Sequence, residues 1–160
     1  KHFGPGTGWS DTQRLDANTG GDAYAPELVI NAQGHAVAVW RHRRGALSDI
    51  EANNFIQGWG WAGHAQVSVK VSDMSYEPCL AMDDAGNVTV VWQQFNGLCY
   101  QVCASVFDLS ARHARPAVLP TPDTCDAYHP QVAAAANGHV VAVWHQFDGV
   151  RVSTWARALS

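Results

Sequence analysis

Three runs of small and β-branched residues, each closed by tryptophan, dominate the apolar pattern: residues 36–40 (AVAVW), 88–92 (VTVVW) and 140–144 (VVAVW). Such runs fit a pleated, buried surface. Each is preceded by a segment that follows a proline, at residues 27–31, 79–83 and 131–135. A turn containing Gly34, Gly86 or Gly138 separates the two. Asp-x-Gly and Asn-Gly are hairpin chemistry, since glycine reaches positive φ at no steric cost. A second glycine turn (Gly45, Gly97, Gly149) leads to a segment with apolar residues at every other position, clearest at Ile50 and Ala52 and at Val102, Ala104 and Val106. That is the period of a half-buried strand, and no window sustains a helical period. A fourth short segment occurs at residues 12–15, 65–69 and 117–119. The chain is expected to be all-β.

The same order recurs at a spacing of 52 residues without insertion: Tyr24, Tyr76 and Tyr128; Pro26, Pro78 and Pro130; Trp40, Trp92 and Trp144; Ala52, Ala104 and Ala156. Self-similarity at this period marks a repeat architecture whose units bury their faces against one another. Four antiparallel strands per unit, with turn glycines and a recurrent aromatic, describe the blade of a β-propeller. We therefore expect one domain over residues 1–160, with repeats near 5–56, 57–108 and 109–160. Recurrence in every unit also favours a packing role for the three tryptophans and three tyrosines.

The segment Pro78-Cys79-Leu80-Ala81-Met82-Asp83-Asp84-Ala85-Gly86-Asn87-Val88 resembles the repeat element of bacterial propellers of the NHL and related, sialidase-like kinds. The sialidase Asp box, S-x-D-x-G-x-x-W, is not met, because each tryptophan falls six residues after its glycine. The sialidase arginine cluster and Tyr/Glu pair map onto no positions here. The resemblance implies strand A after the proline, strand B ending in tryptophan, strand C alternating, and the short segment as outer strand D. The order along the chain is then D, A-B-C-D, A-B-C-D, A-B-C. The first D strand lacks its blade and the last blade lacks its D strand. Three blades do not close, since propellers use about four to eight. Two chains related by a twofold axis would complete six blades by exchanging N-terminal D strands. The alternative is a complementary propeller half, whether the rest of a longer chain or another subunit. Residues 157–160 share the phase of residues 1–4, consistent with either.

Composition narrows the function classes. Formal net charge is -4 with 15% charged residues, and the densest basic stretch, residues 41–44, is one short segment; no nucleic-acid partner is expected. No apolar run reaches the ~20 residues of a membrane helix. Two lysines beside seven tryptophans suit a secreted, periplasmic or cell-surface protein. No cofactor is implied, and neither HxH nor HExxH spacing occurs for a metal. Among the four cysteines, Cys99 and Cys103 would stand roughly 13 Å apart on one strand, beyond the ~7 Å of a disulfide. Pairing of Cys125 with Cys79 or Cys99 is one expectation, and buried thiols are the other.

Ligands of propellers usually meet the D–A and B–C loops, here residues 16–25, 72–77 and 121–129, and 41–47, 93–98 and 145–150. Within them Asp22, Tyr24, Arg41, His42, Gln93, Gln94, Phe95, Asp126, Tyr128, His145, Gln146 and Phe147 are the candidate ligand-binding residues. Planar amides, histidines, carboxylates and aromatics grip sugars through hydrogen bonds and stacking. The expected function is a non-enzymatic module binding carbohydrate or another surface ligand. The alternatives are a structural subunit of an extracellular assembly, or a glycan-acting hydrolase or lyase with Asp22 and Asp126 as candidate carboxylates. Asp83-Asp84 is expected to serve the hairpin turn.

Overall fold

A computed structural model describes residues 3–4, 8–16, 20–68, 74–109, 115–118 and 126–159. Among these residues there is no helix. A short ribbon pairs β1 (Phe3–Gly4) with β2 (Gly8–Trp9). The first blade is the antiparallel sheet of β3 (Asp22–Ile30), β4 (Ala36–Arg44), β5 (Leu47–Ile56) and β6 (Gly60–Gln66). The second comprises β7 (Ser75–Met82), β8 (Asn87–Phe95), β9 (Tyr100–Asp108) and β10 (Arg115–Val118). The third has three strands among the described residues: β11 (Ala127–Ala134), β12 (Val140–Phe147) and β13 (Val152–Leu159). The chain is thus a partial propeller of three blades, as the 52-residue register predicts.

One expected strand is absent. Residues 12–15 are not in a strand, although residues of the same phase in the next two units fall in or beside β6 and β10. An outer strand needs a neighbouring strand C to pair with, and none lies beside this segment among the described residues. The segment instead lies against the first blade, where Asn53 Nδ2 donates to the Leu15 carbonyl at 3.2 Å.

The blades are joined by apolar packing, not by shared hydrogen-bond ladders. Val37, Val39, Ile50 and Ala52 of the first unit form one buried cluster with Val67, Leu80, Val88, Val90, Trp92, Cys103 and Phe107 of the second. Val91, Val102 and Ala104 repeat that role against Ala127, Ala142 and Trp144 of the third. Alternation along strands B and C produces this arrangement. One set of side chains points forward to the next blade, and the other set points back to the previous one.

The innermost strands β3, β7 and β11 lie beside one another along the inner edge of the arc. Each carries a bulge at the same place, where the register with its partner strand slips after Tyr24, Tyr76 or Tyr128. The extra residue takes positive φ in all three: Ala25 at 48°, Glu77 at 49° and His129 at 51°. Left-handed backbone is uncommon for residues with a Cβ. The proline that follows fits the bulge because it brings no N–H to leave unpaired.

At the other end of the second blade, Asp83 closes the β7–β8 hairpin. Its carboxylate accepts from Asn87 N–H at 2.8 Å and Asn87 Nδ2 at 2.7 Å. The turn role expected for this residue is the one observed. Of the cysteines, Cys79 on β7 is a free thiol, so the expected bridge to it is not formed; Cys125 lies outside the described residues.

Burial disfavours the Asp83 carboxylate, but the Asn87 side-chain and backbone hydrogen bonds outweigh it and hold its pKa below the ordinary aspartate value. A depressed folded-state pKa contributes stability above the unfolded value near 4, lost as pH falls through the folded value. Urea titrations from pH 7 to pH 2.5 are expected to show Asp83→Asn about 1 kcal/mol less stable at neutral pH. The difference should shrink towards the acid end; a gap independent of pH would remove the clamp.

Candidate functional site

Apart from Asp126, the candidate residues sit on strands where loops were expected, and that decides which of them face solvent. Strands β4, β8 and β12 run past the tryptophan to Arg44, Phe95 and Phe147. Side chains there continue to alternate between faces. His42, Gln94 and Gln146 share the tryptophan's face and are buried. Trp92 Nε1–H donates to Gln94 Oε1, and Trp144 Nε1–H to Gln146 Oε1, each at 2.9 Å. In the first blade His42 pairs through Nδ1 with Glu51 Oε1 at 2.7 Å. Gln93 is buried as well, at the joint between the second and third blades. The structure places these four residues among buried packing groups, because the strand outlasts the residue read as its end.

The other candidates remain accessible and gather at one end of the inner strands. Tyr24 O–H donates to Asp22 at 3.1 Å. Arg41 lies between two tyrosine rings, with its guanidinium carbon 5.9 Å from the Tyr24 centroid and 4.1 Å from that of Tyr76. A cation over a ring at this range contributes about 0.5–1 kcal/mol when exposed. The contacts continue within the second blade, Tyr76 to Tyr100 at 6.1 Å and Phe95 to Tyr100 at 5.2 Å, and cross the next joint from Tyr100 to Tyr128 at 5.5 Å. Tyr24, Arg41, Tyr76, Tyr100 and Tyr128 therefore form a line of flat groups spanning all three blades.

Carboxylates are held along this line. Asp126 Oδ1 accepts from Tyr100 N–H at 2.9 Å. Burial, and then its hydrogen bond to the Asp126 carboxylate, push the Tyr128 phenol up to about 12, so it stays protonated and donating at neutral pH. The bulges add a third acidic position. Glu77 Oε2 lies 2.9 Å from His129 Nδ1, and the two come from adjacent blades at equivalent left-handed residues. The His129 ring stands 6.1 Å from that of His145. Phe147 is exposed.

Tyr76, Glu77, Tyr100 and His129 thus belong with the site although they are not among the candidates. Tyr100 breaks the repeat, its counterparts being Ser48 and Val152, and that break is the signal that marks it. Glu77 and His129 share a register with Ala25. Nothing in the sequence shows that a bulge turns this register into a cross-blade pair. Among the described residues no group of His, Cys, Asp and Glu is arranged to hold a metal ion.

No protein-family model matches the chain, nor does any curated protein. Solved structures do. An endo-arabinase from Bacteroides thetaiotaomicron VPI-5482 matches 90% of this chain with a TM-score of 0.56 and 13% identity. An α-L-arabinanase from Penicillium chrysogenum, complexed with arabinobiose, matches 83% with a TM-score of 0.51 and 12% identity. The chain spans 58% and 44% of their respective lengths. At such identities the likeness shows the class of fold alone, a β-propeller, of which three blades are present here. The resemblance to NHL and sialidase repeats is not supported beyond that class. The non-enzymatic binding module is corrected too, since these similar solved structures bear the names of an endo-arabinase and an arabinanase.

The clamps on the tryptophans yield a stability prediction. Gln94→Leu leaves the buried Trp92 N–H without its acceptor and is expected to cost about 1–3 kcal/mol. Thermal unfolding should show the loss, whereas Asn96→Ala in the exposed turn should shift the midpoint far less. Equal effects would mean that the indole finds another acceptor.

Proposed function

We propose that this chain supplies half of a propeller that hydrolyses glycosidic bonds in an arabinan-like glycan. The observation that carries the reading is the Glu77–His129 pair on the inner-strand bulges, beside Asp22 and the tyrosine–Arg41 line. Glycoside hydrolysis calls for two carboxyl groups flanking the bond, one of them passing a proton to the leaving oxygen. Asp22 and Glu77 are the exposed carboxylates of the cluster. Glu77 is the proton-transferring candidate, its partner imidazole keeping a second titratable group within 2.9 Å. Asp22 is the candidate second carboxylate. Asp126, held by the Tyr100 amide and the Tyr128 phenol, is a positioning residue for the tyrosines.

The flat groups suit the substrate class. Sugar rings present C–H faces to aromatic side chains, and their hydroxyls bond to guanidinium, imidazole and carboxylate groups. A row of such groups crossing three blades matches a chain of sugar units better than a single ring. A polymeric glycan is met outside the cytoplasm, which agrees with a secreted, periplasmic or cell-surface setting.

Incubation with arabinan, followed by reducing-end release, tests the reading directly. Release is expected from the native chain, with losses of about 100-fold or more for Asp22→Asn and for Glu77→Gln. Tyr100→Ala should raise KM more than it lowers kcat. Absence of release from arabinan and from other polymeric glycans, with the chain shown to be folded by circular dichroism, would overturn the proposal.

A further inference from the structure

The two open flanks of the arc are halves of one joint. A cleft of about 380 Å3 lies on the rear face of the first blade, lined by Leu15, Leu28, Ile30, Ala36 and Phe55 among others. One repeat further on, the same register positions are Val67, Leu80, Met82, Val88 and Phe107. All five belong to, or pack against, the core between the first and second blades. There the gap is filled by Val37, Val39, Ile50 and Ala52 of the preceding blade. The register counterparts of these four in the third blade are Val141, Val143, Thr154 and Ala156.

Exposure follows the missing neighbour. Val37 and Val39 are 0% exposed, whereas Val141 and Val143 are 47% and 37% exposed. Leu80 is 8% exposed, whereas its counterpart Leu28 is 61% exposed, and Ile30 beside it 62%. Apolar side chains that are closed at the inner joints stand open at the two flanks. Backbone groups take part in the inner joint as well. Val67 and Ser68 both donate to the Ile50 carbonyl, at 2.8 and 3.2 Å. Their counterparts are Leu15 and Asp16, and the counterpart of the acceptor is Thr154 on β13.

We propose that a second copy of this chain docks through these flanks. Val141 and Val143 of each copy enter the cleft lined by Leu15, Leu28, Ile30, Ala36 and Phe55 of the other. Residues 15 and 16 of each copy add to the edge of β13 of the other, which pairs with no further strand among the described residues, taking the Thr154 carbonyl as acceptor. Two identical head-to-tail joints related by a twofold axis close a ring of six blades, within the ~4–8 of known propellers. The occupant is a second copy because every position of the incoming face is already present on this chain, in the register that the inner joints use. This inference does not depend on the enzymatic reading, and its test reads mass in place of turnover.

Sedimentation of the purified 160-residue chain is expected to give about twice its 17.3 kDa mass. Val143→Arg and Leu28→Arg each place an unpaired charge in both joints and should weaken association by roughly 100-fold. Because both residues are exposed in the isolated chain, β-sheet circular dichroism should persist. Mixing the two variants restores one sound joint, so an open pair should form where neither variant associates alone. A monomer for the native chain, an assembly other than a dimer, or a dimer untouched by both substitutions would overturn the proposal. If Val143→Arg fails to fold, Val143→Thr at the same exposed site gives the graded comparison, and the native mass remains decisive.

Discussion

Everything in this arc rests on the insertion of one blade's forward-facing valines into the rear cleft of the next. A single four-stranded sheet has two faces and too little apolar area on either to be stable alone. Val37 and Val39 are buried because Leu80, Val88, Val90 and Trp92 meet them, and those residues are buried for the same reason. At about 25 cal/mol per Å2 of apolar surface removed from water, each joint is the main source of stability for the two blades that flank it. The hydrogen-bond ladders set the shape of each sheet, and the joints hold the sheets in sequence.

The joints also determine what the inner edge presents. Once the inner strands are drawn side by side, any residue that faces inward at their ends comes near its counterpart in the next blade. The bulge before each proline turns that proximity into chemistry. With a regular strand, residues 25, 77 and 129 would alternate with their neighbours; the extra residue breaks the alternation, and Glu77 and His129 meet across a joint at 2.9 Å. The tyrosine before the bulge serves both purposes: the Tyr76 and Tyr128 rings touch the preceding blade, and the hydroxyl is offered to an acceptor at the start of the strand. That acceptor is Asp22 for Tyr24, and the Met74 sulfur for Tyr76 at 2.9 Å. The recurrent tyrosines are accordingly packing groups with one exposed edge.

How much of this was legible in the sequence follows from the same physics. Repetition at 52 residues carries the blade count, the strand order and the unpaired flanks, because each depends on a pattern stated three times. The extent of the strands was less legible: tryptophan ends the apolar run at residues 40, 92 and 144, yet pairing with strand C continues for three or four residues through polar side chains. Gln94 and Gln146 read as surface amides because polarity was taken for exposure. Their burial follows from an indole two residues back on the same face, a contact that only the pleat reveals. Asp22, Tyr24 and Tyr128 were legible as a register, whereas Tyr100 joins them from a different strand at a position where the other units carry Ser48 and Val152.

The first blade departs from its siblings on the face that points backwards, and the departure has a physical reading. In the second and third blades the residue opposite the tryptophan is Cys103 or Trp155, and the glutamine two places on satisfies the indole. In the first blade that opposite residue is Glu51, buried yet charged in type, and it accepts from Arg44 at 2.8 Å while lying 2.7 Å from His42 and 2.9 Å from His64. Arg44 is fixed in turn by Asp49 at 3.0 Å. A buried carboxylate is tolerated when its oxygens are matched by donors, and removing one donor strands the rest. This network makes the rear of the first blade polar at one end and apolar at the other, where Leu28 and Ile30 stand open. An incoming sheet can bury its valines only against the apolar end, so the network fixes the orientation in which the flank can be covered.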